Sequence, residues 1–191
     1  MVILTGSKKI KTSVFISGTG SNLKNLIKFS KLKKSPITID LIISNNPKAK
    51  GLCFGKVFRI KKKIFYFKKK KIAENKILLE LKKNKIDLIC LAGFMEILSK
   101  NFIKNFKGKI LNIHPSLLPK YKGLNTYERA IKNKEKYSGC TVHFVNSKLD
   151  SGKIIIQKKV KITKNETAKG LAKKILTQEH KLYPKAILKI F

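Results

Sequence analysis

Asn112 and His114 stand two residues apart at the end of the apolar run Lys109-Ile110-Leu111-Asn112-Ile113-His114. In a strand, residues i and i+2 project to the same face, so an amide and an imidazole would emerge together there. The amide can stabilise a developing oxyanion, and the imidazole exchanges protons near neutral pH. Pro115 ends the strand where both groups appear. Taken alone, the pattern is more commonly a buried histidine and a turn asparagine, so its meaning depends on the rest of the chain.

Two other segments carry chemistry. Gly18-Thr19-Gly20-Ser21-Asn22 follows the apolar run Ser13-Val14-Phe15-Ile16-Ser17 and precedes a helical pattern at Leu23, Leu26 and Ile27. A strand, glycine turn and helix offer backbone N–H groups to an anion. Leu23 replaces the third glycine of the dinucleotide pattern, which favours a monophosphate over a pyrophosphate, and an unliganded glycine turn is equally compatible. Asp40 lies inside the next strand, where a ribose contact would be coincidence. Asp150, in Leu149-Asp150-Ser151-Gly152, can supply a carboxylate to His114 if the strands around it flank the histidine strand. Such a carboxylate raises an imidazole pKa and stabilises imidazolium. An aspartate beside glycine is also an ordinary turn residue.

The elements that must position these groups alternate. Strands are predicted at 13–17, 37–44, 86–92 and 109–114, with a minor one at 57–60, and helices at 49–54, 73–83 and 99–105. Residues 86–92 are apolar at nearly every position, as a strand covered on both faces must be. This order implies a mostly parallel, twisted, Rossmann-like α/β sheet with helices on both faces. The last third differs. A helix at 126–132 precedes two strands, 140–145 and 154–160, joined across a short Asp-Ser-Gly turn and expected to form an antiparallel edge. A final helix over 167–189 is capped by Thr167 and interrupted at Pro184. The lysine clusters at 61–63 and 68–71 are expected at exposed loops or helix ends.

The 191 residues fit a single domain spanning 1–191. Lys and Arg number 45 against 10 Asp and Glu, a formal charge of +35. Only Arg59 and Arg129 are arginines, whereas nucleic-acid readers favour the guanidinium fork. The lysines are spread along the chain among many Ile, Asn and Phe, residues that A/T-rich codons can supply. The charge therefore reads as mutational bias on solvated faces rather than a nucleic-acid footprint. Cys53, Cys90 and Cys140 show no paired spacing and are expected as free, buried thiols. Met1-Val2-Ile3-Leu4-Thr5-Gly6 is too short for a secretory leader, and no apolar run approaches a bilayer span. A cytoplasmic location is expected.

Five blocks together resemble the phosphoribosylglycinamide formyltransferases. They are Ile16 to Leu23, Leu91 to Met95, Leu111 to Tyr121, His143 to Val145 with Leu149 to Gly152, and Gln178-Glu179-His180 with Tyr183-Pro184. The resemblance covers nearly the whole chain. It implies the formyltransferase fold and transfer of a formyl group from 10-formyltetrahydrofolate, a co-substrate, to the amine of glycinamide ribonucleotide in purine biosynthesis. Asn112 and His114 would then stabilise the oxyanion, with Asp150 supporting His114. Gly20, Ser21 and Asn22 would cradle the ribonucleotide phosphate, and Glu179 would bind near its ribose. Lys70, Met95, Glu96, Ile97, Leu98 and Asn112 would meet the folate. No metal is implied, and a monomer or weak homodimer is expected.

Three departures stand out. Glu96 and Lys70 fall where the family commonly has arginine, which shifts recognition of an acidic folate tail to the lysines. Asn125 replaces a usual histidine near the catalytic aspartate. The chain is also expected to stop short of a C-terminal segment that relatives carry. Methionyl-tRNA formyltransferase shares the Asn-x-His-Pro core but normally adds a C-terminal RNA-binding domain, which nothing after Phe191 is expected to supply. A non-catalytic basic nucleic-acid-binding module is the remaining alternative, and it predicts tight binding with steep salt dependence.

Overall fold

The computed structural model describes residues 9–191. The segment Met1 to Gly6, read above as no secretory leader, lies outside the described residues. The strands are β1 (Ile10–Ile16), β2 (Ile37–Ser44), β3 (Lys61–Ile64), β4 (Leu88–Leu91), β5 (Lys109–His114), β6 (Tyr137–Phe144) and β7 (Ile154–Lys161). The α-helices are α1 (Ser21–Ser30), α2 (Cys53–Val57), α3 (Lys70–Lys83), α4 (Lys100–Asn105), α5 (Thr126–Lys132) and α6 (Ala168–Ile190). The strands form one sheet in the order β3-β2-β1-β4-β5-β6-β7. Pairing is parallel from β3 through β5 and antiparallel from β5 to β7, so the antiparallel edge expected from sequence is present.

Side-chain alternation builds a core on each face. Val14, Ile16, Cys90 and Leu111 pack with Leu23 and Leu26 of α1 and with Leu171, Ile175 and Tyr183 of α6. Phe15, Ile43 and Ile89 turn the other way, against Ile77 and Leu81 of α3 and Phe102 of α4. Two covered faces explain why β4 is apolar at every position and why β1 is buried continuously from Thr12 to Ile16. The Tyr183 hydroxyl, fully buried, lies 3.1 Å from the Leu91 carbonyl and 3.2 Å from that of Leu111, tying α6 to the end of β4 and the middle of β5.

Five expectations require correction. Residues 57–60 are not a strand, since α2 runs through Val57; the minor strand is β3, where Lys61, Lys62 and Lys63 pair with Leu41, Ile42 and Ile43. The lysines at 61–63 therefore mark a sheet edge, where exposed charge discourages pairing with another chain. Cys53 is exposed, while Cys90 and Cys140 are buried as expected. Pro184 does not interrupt α6. Proline removes the hydrogen bond to the carbonyl four residues earlier, and here the Asn25 amide donates to that carbonyl, on His180, at 2.5 Å. The β6–β7 link is the connection 145–153 rather than a tight turn. Gly152 permits its close return, because a Cβ there would sit 1.7 Å from the Phe144 carbonyl oxygen.

Candidate active site

Strand order reverses between β1 and β4, and the segments leaving the carboxyl ends of β1, β4 and β5 enclose a cleft of about 710 Å³. A crevice at such a switch point is where open α/β sheets bind ligands. Its walls include Gly20, Ser21, Asn22, Met95, Glu96, Ile97, Leu98, Asn112, His114, Asp150 and Glu179. Lys70 is not among them; it is an exposed residue at the start of α3.

At the cleft floor, Asn112 and His114 share one face of β5, and the 145–153 connection folds Asp150 over them. Asp150 Oδ2 lies 3.4 Å from His114 Nδ1, and Asn112 Nδ2 lies 3.4 Å from Asp150 Oδ1. The Gly123 N–H donates to Asp150 Oδ2 at 2.9 Å. Asp150 has φ 43°, a left-handed conformation that aims its carboxylate inward. On its other side, His114 Nε2 lies 2.8 Å from the Tyr121 carbonyl. A carbonyl can only accept, so Nε2 carries a proton and Nδ1 is the titrating nitrogen.

His143 is a site residue absent from the sequence-derived set. It lies opposite Asn112 in the β5–β6 register, with Nε2 3.2 Å from Asn112 Nδ2 and 3.7 Å from Asp150 Oδ1. Its Nδ1 faces the Phe144 carbonyl at 2.8 Å, so Nδ1 carries the proton and Nε2 accepts from Asn112. The register that makes this contact is not local, although His143 already belonged to one of the five blocks. The second Asn112 amide hydrogen is held only by the long contact to Asp150 and remains available to substrate.

Burial is the largest influence on His114 and pulls its pKa below the ordinary value, against upward pushes from the Tyr121 carbonyl and Asp150. The expected net rise is thus corrected: with His114 only 5% exposed, desolvation outweighs the carboxylate. Burial pushes Asp150 upward, but the His143 imidazole, the Gly123 N–H and His114 together hold it below its usual range. At neutral pH the cleft therefore holds a neutral imidazole beside an ionised carboxylate.

At the opposite end, Gly20 precedes α1 with φ 73°. Its conformation favours glycine, and a Cβ there would meet Gly51 Cα at 2.7 Å. Gly51 also donates its N–H to the Gly18 carbonyl at 3.0 Å, bracing the loop. Asn22 Nδ2 donates to Glu179 Oε2 at 2.7 Å, while Asn22 Oδ1 is buried without a partner among the described residues. Burial raises the Glu179 carboxyl to about 7, against a downward pull from Asn22.

The wall after β4 is apolar and partly exposed at Met95 and Ile97, with Leu98 buried beneath. Glu96 Oε1 accepts from Asn45 Nδ2 at 2.9 Å, and Ser17 Oγ donates to Asn45 Oδ1 at 2.6 Å while accepting from the Met95 N–H at 2.8 Å. Asn125 lines the cleft in a left-handed conformation at the start of α5. Among the described residues, no group of three or more His, Cys, Asp or Glu side chains is placed to hold a metal ion.

A parallel sheet with an antiparallel edge and an Asn-His-Asp cluster over its switch point defines a formyl transferase, and the family model of that description matches residues 10–187. Phosphoribosylglycinamide formyltransferase of Haemophilus influenzae is 42% identical over 183 residues, covering 93% of this chain and 85% of that protein. The human trifunctional purine biosynthetic protein adenosine-3 is 40% identical over 183 residues, 94% of this chain, which spans only 18% of that protein's length. A crystal structure of phosphoribosylglycinamide formyltransferase from Brucella melitensis superposes with a TM-score of 0.91 at 41% identity, covering 96% of each chain. The chain belongs to the phosphoribosylglycinamide formyltransferase family, the folate-dependent formyl-transfer enzymes of purine biosynthesis.

Proposed function

We propose that this chain transfers the formyl group of 10-formyltetrahydrofolate to the amino group of 5'-phosphoribosylglycinamide. The observation that carries the reading is the convergence of Asn112, His114 and Asp150 in a cleft that also opens on the glycine loop before α1. The loop N–H groups at Gly20 to Asn22 suit a phosphate, and Glu179 suits a ribose hydroxyl. The apolar wall at Met95, Ile97 and Leu98 suits a flat heterocycle, with Glu96 at its rim. Lys70 lies outside the cleft walls, so any part it takes is confined to a flexible anionic extension of the folate.

The amine attacks the formyl carbon, forming a C–N bond and moving the carbonyl π electrons onto oxygen. Asn112 Nδ2 donates to that oxyanion. Neutral His114 accepts the proton released from the attacking nitrogen at Nδ1, and the resulting imidazolium stands between the oxyanion and Asp150. Collapse re-forms the carbonyl and breaks the bond to the folate nitrogen, which takes the proton from His114. Orientation and oxyanion stabilisation supply the acceleration.

Among the described residues no helix is long and apolar enough to cross a membrane. We place the chain in the cytoplasm, where its free thiols persist, as a monomer or weak homodimer. The acceptor is tested by offering glycinamide ribonucleotide and methionyl-tRNA together with formyl folate and identifying the formylated product by mass spectrometry. Formylated ribonucleotide is expected. Formylated tRNA alone would overturn the choice of acceptor.

A further inference from the structure

The segment 120–125 hydrogen-bonds the two proton-handling residues through its backbone. Its Tyr121 carbonyl faces His114 Nε2 at 2.8 Å, and its Gly123 N–H donates to Asp150 at 2.9 Å. A loop with left-handed residues at Tyr121, Gly123 and Asn125 has no regular hydrogen-bond ladder to hold it, so its position depends on side chains. The Tyr121 hydroxyl donates to Glu135 Oε1 at 2.9 Å and accepts from Asn133 Nδ2 at 3.0 Å. Lys120 Nζ reaches the same Glu135 oxygen at 2.7 Å. From the other side, the Arg129 guanidinium lies 5.1 Å from the Tyr121 ring centroid and donates to the Lys122 and Leu124 carbonyls at 2.7 and 3.2 Å. The chain has only two arginines and ten Asp and Glu residues in all, and Arg129, Glu135 and Asp150 are joined to this loop at bonding distance.

We propose that Tyr121, clamped between Arg129 and Glu135, is a positioning element for formyl transfer, holding the loop so that its backbone fixes the His114 tautomer and the Asp150 carboxylate. The proposal rests on the formyl-transfer reading above. None of the three side chains touches the reacting atoms. If the clamp loosens, the Tyr121 carbonyl withdraws from Nε2, the imidazole proton is free to move to Nδ1 beside Asp150, and Nδ1 no longer offers a lone pair to the attacking nitrogen. Loss of orientation by a fraction of an ångström lowers turnover without weakening substrate contacts made elsewhere in the cleft.

The test compares Tyr121→Phe, Arg129→Met, Glu135→Ala and Glu135→Gln with wild type, with Lys174→Ala as a control that breaks a remote exposed ion pair to Glu166. Two readouts are taken: steady-state kinetics, and nitrogen NMR of the His114 ring at neutral pH. Glu135→Ala and Arg129→Met are expected to lower kcat about tenfold or more, with KM for both substrates within about twofold. Glu135→Gln, which keeps an acceptor for the Tyr121 hydroxyl, recovers most of the rate, and Tyr121→Phe falls between. Wild type shows the Nε2–H tautomer, and the impaired variants show a mixture. Folded Glu135→Ala and Arg129→Met proteins with wild-type kcat and an unchanged tautomer would overturn the proposal. An inactive wild type would instead count against the formyl-transfer reading, and the tautomer measurement would still decide the clamp.

Discussion

His114 is confined between an obligate acceptor, the Tyr121 carbonyl, and an ionised carboxylate, in surroundings dry enough to favour its neutral form. In an NMR titration its midpoint is expected below 6.5, and lower still in Asp150→Asn, because the carboxylate is one of the groups pushing it up. The same variant should lose roughly a hundredfold in kcat, the scale of a lost acid–base partner, while remaining folded. A wild-type rate in that variant would remove the role given to Asp150. Glu179 behaves in the opposite sense. Its folded value of about 7 stands above the 4.5 of an ordinary glutamate, so between these values the folded state binds more protons than the unfolded chain. Stability from this group is complete below about 4.5 and is lost as pH rises through about 7. Glu179→Gln should abolish that decline, gaining up to roughly 3 kcal/mol over wild type at pH 8, read as a Tm difference that widens from pH 5. At this scale strand parity made Asn112 and His114 legible as a pair. His143 was not assigned, because facing Asn112 requires a cross-strand register that no local spacing encodes.

Elements with a clear period and a stop signal are the easiest to read from sequence. β2, β5 and α5 fall at the predicted bounds because each combines a clear period with a stop signal. β3 escaped because Lys-Lys-Lys-Ile at an exposed edge has no apolar alternation, and only its pairing with β2 makes it a strand. Helix α6 was expected to break at Pro184, since the donor that rescues the His180 carbonyl lies on α1, far away in sequence. Asn25→Ala withdraws that donor from a partly buried carbonyl and should cost about 1–2 kcal/mol, measured by denaturant unfolding. The loss should appear as faster exchange of α6 amides near His180. An unchanged midpoint and exchange pattern would mean that α6 tolerates the proline without help from α1.

Over the whole molecule, +35 charges make the folded state self-repelling. Ion pairs such as Lys61–Glu80 and Lys120–Glu135 engage few of the lysines. Screening lengths shrink from about 30 Å at 0.01 M salt to about 10 Å at 0.1 M, so Tm should rise over that range in a scanning measurement. A fall would show that the ion pairs outweigh the repulsion. Composition alone pointed at polyanions, whereas the five blocks, dispersed from Ile16 to Pro184, carried the family resemblance. The sheet gathers their functional ends around one cleft. The central claim is that Asn112, His114 and Asp150 move a formyl group between two substrates held in that cleft. It is tested most directly by incubating the protein with formyl-labelled 10-formyltetrahydrofolate and glycinamide ribonucleotide, with His114→Ala in parallel. Label should pass to the ribonucleotide with wild type and at least about a hundredfold more slowly with the variant. No transfer by folded wild type, or equal transfer by both, would contradict the account.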